Sequence, residues 1–94
     1  MRGKSHRNKF KAGRLVATPG VLKAVPAEEL TDAMIRHLHG DWGVVCDEDK
    51  ALNNMALERG GRLHSAYYSK ANIKFWIITE ADRSATTLLL PDEY

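Results

Sequence analysis

The sequence predicts an α+β domain: two or three N-terminal helices packed on a three-stranded antiparallel meander. Three observations carry that prediction. Apolar residues recur at three- and four-residue spacing up to Arg59, the period changes to two from Arg62 onward, and two short polar stretches split the C-terminal third into three strands.

Thr18 followed by Pro19 reads as a helix start, a hydroxyl N-cap ahead of a proline whose missing N–H is not needed in the first turn. Val21, Leu22 and Val25 form the expected buried side. A second helix spans 27–40, with Leu30, Ala33, Met34, Ile35 and Leu38 inward and Glu28, Glu29, Asp32 and Arg36 outward. His37 and His39 in its last turn suit the macrodipole, and Gly40 ends it. Val44, Val45 and Cys46 read as a short strand or an apolar plug. Asp47 is the expected N-cap of a third helix, with Leu52, Met55, Ala56 and Arg59 on one stripe and two asparagines weakening its middle.

Residues 62–69 and 73–79 are rich in aromatic and β-branched types and are joined by a turn at 70–72. Residues 86–90 form the last strand, stopped by Pro91. A tight hairpin would pair Tyr68 with Ile73, Ala66 with Phe75, Ser65 with Trp76 and His64 with Ile77. The next turn would pair Ile77 with Leu88 and Trp76 with Leu89. One face then seats the helices. The other combines Tyr67, Lys74, Trp76, Ile78 and Leu89, too apolar for a plain solvated surface.

A chain of 94 residues forms one small domain, which buries only about 60–65 % of its unfolded surface. Residues 1–14 carry six of the 14 Lys and Arg and no acid; residues 15–94 carry eight basic and twelve acidic groups. The expected organisation is a disordered basic tail over 1–14, able to attract polyanions, and a single domain over 15–94. Cys46 is the single cysteine, so no internal disulfide or cysteine metal pair forms, and a cytoplasmic location without membrane contact is the expectation. His37 and His39 stand about 200° apart around a helix and do not converge on one metal. No metal or cofactor is expected.

The segment TEADRSATT, 79–87, is either a turn or a site. As a turn, Glu80, Asp82 and Arg83 pair locally and Ser84 caps. As a site, Arg83 with Thr86 or Thr87 and a proton-moving His37 or His39 would make a metal-free phosphodiester centre, in which guanidinium and hydroxyl groups stabilise the pentavalent phosphate. The candidate binding residues are Tyr67, Lys74, Trp76 and Trp42, rings for stacking and an amine for charge.

LVATPGVLKAV, HLHGDWG, ALERGGRLHSAY and FWIITEADRSATTLLLPDEY resemble a family of small uncharacterised bacterial proteins carried on plasmids and other mobile elements. The resemblance runs from Leu15 to Tyr94 and implies a compact cytoplasmic domain with no assigned activity. The helices-then-meander order is also similar to RelE-type and barnase-like toxin ribonucleases, although this body is acidic where theirs is basic. The leading expectation is a non-enzymatic accessory protein acting through the aromatic sheet face, as a homodimer or with a protein partner. The alternatives are a metal-independent ribonuclease, and nucleic-acid binding through residues 2–14.

Overall fold

A computed structural model describes residues 7–94. Strand β1 (Arg14–Ala17) is followed by helices α1 (Pro19–Ala24), α2 (Ala27–Leu38) and α3 (Asp47–Arg59), then strands β2 (Leu63–Tyr68), β3 (Lys74–Thr79) and β4 (Ala85–Leu89), and a 3-10 turn over Pro91–Glu93. The four strands form one mixed sheet in the order β1-β4-β3-β2, with β1 parallel to β4 and the other pairs antiparallel. The α+β class is as expected; the three-stranded meander is not. β1 is four residues long and exposed along most of its length, so it shows no alternation for a sequence reading to find.

Part of the basic tail also belongs to the folded body. Lys9 N donates to Leu38 O at 2.8 Å, Phe10 packs against Trp42, and Ala12 packs against the main core. Gly13 then enters β1 so close to the 83–84 backbone that a Cβ would lie 2.4 Å from Ser84 O, and its φ of +67° is one that glycine adopts without penalty. The remainder of the tail, residues 1–6, lies outside the described residues.

The helices follow local chemistry. Thr18 Oγ1 accepts from Val21 N at 3.2 Å, as the Thr-Pro pair predicts, and Val21 and Val25 are buried while Leu22 is exposed. In α2, Leu30, Ala33 and Met34 face the core. Ile35 is exposed, and His37 is completely buried rather than lying at the solvent-facing helix end. The N-cap of α3 is Cys46, not Asp47. Its buried residues are Asn53 and Ala56, whereas Leu52 and Met55 are exposed. Asn53 explains this rotation: Nδ2 donates to His64 O at 2.8 Å and Oδ1 accepts from His64 N at 3.1 Å. The side-chain amide thus mimics a neighbouring strand on the outer edge of β2. Residues 42–44 extend the cover, with Ala66 N donating to Trp42 O and Val44 N to Ala66 O. A Cβ on Gly43 would sit 1.9 Å from Ala66 O. Of the two readings of 44–46, strand or apolar plug, the strand is reduced to a single bridge between Gly43 and Ala66, while Val45 packs against the Trp42 cluster and Val44 is exposed.

The β2–β3 register is one residue off the expected one: Tyr68 pairs with Lys74, Tyr67 with Phe75, Ala66 with Trp76, Ser65 with Ile77 and His64 with Ile78. Ser69 N donates to Ile73 O and Asn72 takes φ +67°, so the connection holds Ile73 and the turn lengthens by one residue. Because strand side chains alternate, the slip turns the whole of β2 over. The β3–β4 pairing matches, with Ile77 opposite Leu88 and Trp76 opposite Leu89. The helical face thus carries Leu63, Ser65, Tyr67, Phe75, Ile77, Thr79, Thr86 and Leu88. The main core joins Phe75, Ile77 and Leu88 to Val21, Leu30 and Met34, and a second cluster seats Trp42 between Ala56 and Leu63. Each large buried side chain contributes about 1.5–3 kcal/mol by leaving water.

Candidate functional site

The candidate chemical residues divide between a sealed polar chain, a backbone brace and a helix-free sheet face. The polar chain runs through the core. His37 Nδ1 lies 2.5 Å from Ser65 Oγ and Nε2 2.9 Å from Thr79 Oγ1; Thr79 Oγ1 lies 2.7 Å from Thr86 Oγ1, which donates to Ala12 O at 2.7 Å. A carbonyl can only accept, and with His37 neutral that fixes every proton. Thr86 donates to Ala12, so Thr79 donates to Thr86, His37 donates from Nε2 to Thr79, and Ser65 donates to Nδ1. His37 is a neutral imidazole with both nitrogens engaged. Burial, followed by the charges of His64 and Arg83, lowers its pKa to about 3. Phe10 and Trp42 meet the ring edge-on, with centroids at 5.2 and 5.7 Å.

Arg83 serves the turn. Nη1 donates to Gly61 O at 2.7 Å, Glu80 O at 3.0 Å and Ala81 O at 3.1 Å, and Nη2 donates to Ala56 O at 3.0 Å. One guanidinium therefore ties the C-terminal turn of α3 to the β3–β4 connection, where Glu80 N donates to Ala85 O and Ser84 N to Asp82 Oδ1. Arg83 itself has φ +63°. The segment 79–87 is a tight connection with a brace through its centre.

His37, Thr86 and Arg83 do lie near one another, but His37 and Thr86 are sealed from solvent. Thr87 points to the opposite face. His39 stands at the C-terminal end of α2, beside Gly40. Among the candidate binding residues, Trp42 is in the core with Nε1 donating to Asn54 Oδ1 at 2.9 Å. Tyr67 is buried as well, its hydroxyl donating to Asp41 O at 2.6 Å, and burial raises its pKa beyond the ordinary phenol range. Arg36 lies over the Tyr67 ring and forms a two-pronged pair with Asp41, at 2.8 and 3.2 Å; that pairing holds the Asp41 carboxyl below its usual range. Both rings are thus structural, one because Trp42 fills the gap under α3 and the other because of the register slip.

Trp76 and Lys74 keep their expected place on the face without helices. The slip brings them new neighbours, His64 and Tyr68 in place of Tyr67. The Trp76 ring meets His64 edge-on at 4.5 Å and Tyr94 at 5.8 Å; Arg62 lies over Tyr94 and donates to its hydroxyl, and the Lys74 amine lies 5.9 Å from the centre of the Tyr68 ring. Tyr68 and Tyr94 are exposed, Trp76 and His64 half-buried. Burial is the main cause that lowers the His64 pKa, so the imidazole favours its neutral form. The sequence reading missed His64 and Tyr68 because a one-residue register error puts them on the wrong side, and Tyr94 because nothing local predicts that the chain folds back.

Among the described residues, no group of three His, Cys, Asp or Glu is arranged to hold a metal ion, and no helix is long and apolar enough to cross a membrane. No family model matches the chain, and a search of curated proteins and of solved structures found no match.

Proposed function

We propose that the chain is a non-catalytic binding module whose working surface is the helix-free face of its sheet, and that the ligand suited to this surface is a single strand of nucleic acid. The observation that supports this reading is the ring cluster His64, Trp76 and Tyr94, with Arg62 seated on Tyr94 and, beside it on the same face, Tyr68 carrying Lys74. Unstacked bases lie on such rings at about 1–3 kcal/mol each, with little sequence preference. Arg62 and Lys74 flank the rings, and Arg14 lies on the same face of β1, placing positive charge where a backbone of phosphates would pass. The basic residues of 1–14 would add reach. An accessory role on a mobile element, the context implied by the resemblance, suits a module of this kind. The ribonuclease reading has less support, because His37 is sealed with both ring nitrogens engaged and Arg83 already gives four hydrogen bonds to backbone carbonyls.

Fluorescence anisotropy with labelled single-stranded and duplex oligonucleotides tests the proposal. The single strand is expected to bind more tightly than the duplex. Its affinity should fall with salt at a log–log slope of about −2, the value for three cations on a single strand. Trp76→Ala is expected to weaken binding about tenfold, the loss of one stacked base. Absence of binding at low salt, or equal binding by Trp76→Ala, overturns it.

A further inference from the structure

We propose that β1 is a self-pairing edge, through which two copies of this chain join their sheets into one eight-stranded sheet about a two-fold axis at Val16. The inference stands apart from the nucleic-acid reading, since it concerns the sheet's edge and its helical side.

Arg14 N donates to Ser84 O and Thr18 N to Leu88 O, so residues 14, 16 and 18 turn their backbone groups toward β4. Leu15 and Ala17 therefore direct their N–H and C=O groups outward, away from the sheet. The opposite edge, along β2, is covered by Asn53 and residues 42–44. Nothing comparable covers β1 among the described residues. Exposed edges are ordinarily blunted by shortness, a charge, a proline or a bulge; the RLVA strand is short and begins with Arg14, but its outward-bonding residues Leu15 and Ala17 and the Val16 between them carry no charge, proline or bulge.

The side chains beside this edge are apolar. Leu15 is 60 % exposed, Val16 40 % and Ile35 49 %. Between β1 and α2 lies a groove of about 380 Å³, lined by Leu15, Ala17, Leu30, Met34, Ile35 and Leu88 among others, with no charged side chain in its wall. An occupant must therefore supply an extended backbone together with an apolar side chain on the helical side. A second β1 supplies both.

Antiparallel pairing centred on Val16 sets Leu15 opposite Ala17 of the second copy, and the reverse. Each such pair exchanges two hydrogen bonds, so all four outward groups of each strand are satisfied. The axis is normal to the sheet, which keeps the helices of both copies on one side. Leu15 of each copy then lies beside Ala17 at the mouth of the other's groove, next to Ile35. The two Val16 side chains meet on the helix-free side as the close, non-hydrogen-bonded pair of the ladder.

Sedimentation equilibrium of the full chain tests the state, and amide exchange tests the contact. The wild type is expected to dimerise, with the Leu15 and Ala17 amides protected more strongly as concentration rises. Val16→Glu and Val16→Lys each place like charges across the axis and are expected to raise the dimer Kd about tenfold or more. An equimolar mixture of the two is expected to recover a 1:1 dimer. Circular dichroism of each variant checks that the monomer is folded; if either is not, Leu15→Lys, at the more exposed position, replaces the pair and is expected to weaken the dimer alike. A wild type still monomeric at about 1 mM, a concentration that half-populates even a millimolar dimer, overturns the proposal and leaves the edge to a strand of another protein. A dimer that persists in the charge variants, with the Leu15 and Ala17 amides unprotected, overturns it too.

Discussion

Replacing His37 by alanine is expected to cost the fold about 3–5 kcal/mol, the sum of a cavity and of two core hydroxyls left without their partner. Ser65 and Thr79 lose the imidazole and are both fully buried, so water does not replace it. That is a large share of the 5–15 kcal/mol typical of a whole domain. The same residue sets a pH dependence. With a folded pKa of about 3 against an unfolded value of 6.5, the unfolded chain binds the extra proton between those limits, and stability rises with pH there. The wild type is therefore expected to be fully stabilised above pH 6.5 and to lose up to about 1.4 kcal/mol per pH unit as the pH falls toward 3. His64, whose pKa is also lowered, adds a smaller loss of the same sign. Urea unfolding between neutral pH and pH 4.5 measures both effects. A His37→Ala chain as stable as the wild type, or a wild type whose stability is flat across that range, contradicts the buried neutral imidazole.

Arg83→Ala is expected to destabilise the domain by about 2–3 kcal/mol, because four carbonyls on α3, the α3–β2 connection and the β3–β4 connection lose one charged donor group. Arg83→Lys should recover little. An ammonium is a point donor and cannot reach Ala56 O and Gly61 O together with Glu80 O in the way a planar fork does. The loss should be local as well as global, with amides at 80–85 and at the C-terminal end of α3 exchanging faster. Thermal unfolding and hydrogen exchange read the two effects. If Arg83→Ala keeps wild-type stability while nucleic-acid binding falls, the guanidinium belongs to the ligand surface and not to the turn.

Much of the secondary structure was legible locally. Thr18-Pro19, the Leu30-Ala33-Met34 stripe and the aromatic, β-branched runs each act within a few residues of themselves, so each could be read. The register was not legible, since pairing Tyr68 with Ile73 or with Lys74 depends on whether the turn absorbs one more residue. That single residue decides which side of the sheet Tyr67 and His64 occupy. The proposed surface divides the same way: the side on which Trp76 and Lys74 lie was legible from β3 alone, whereas the places of Tyr68, His64 and Tyr94 needed the register and the returning chain.

By itself, the sequence determined that there are helices followed by strands, where most of them begin and end, and that one sheet face holds a tryptophan and a lysine. The tertiary structure alone decided that Asn53 closes an edge, that residues 14–17 form a strand, and that His37 lies neutral at the centre. The reason is physical. Helix periodicity and caps are set by bonds between near neighbours, whereas an edge strand, a buried amide and a core imidazole are stabilised by partners 11 to 74 residues away, whose arrival no local pattern announces.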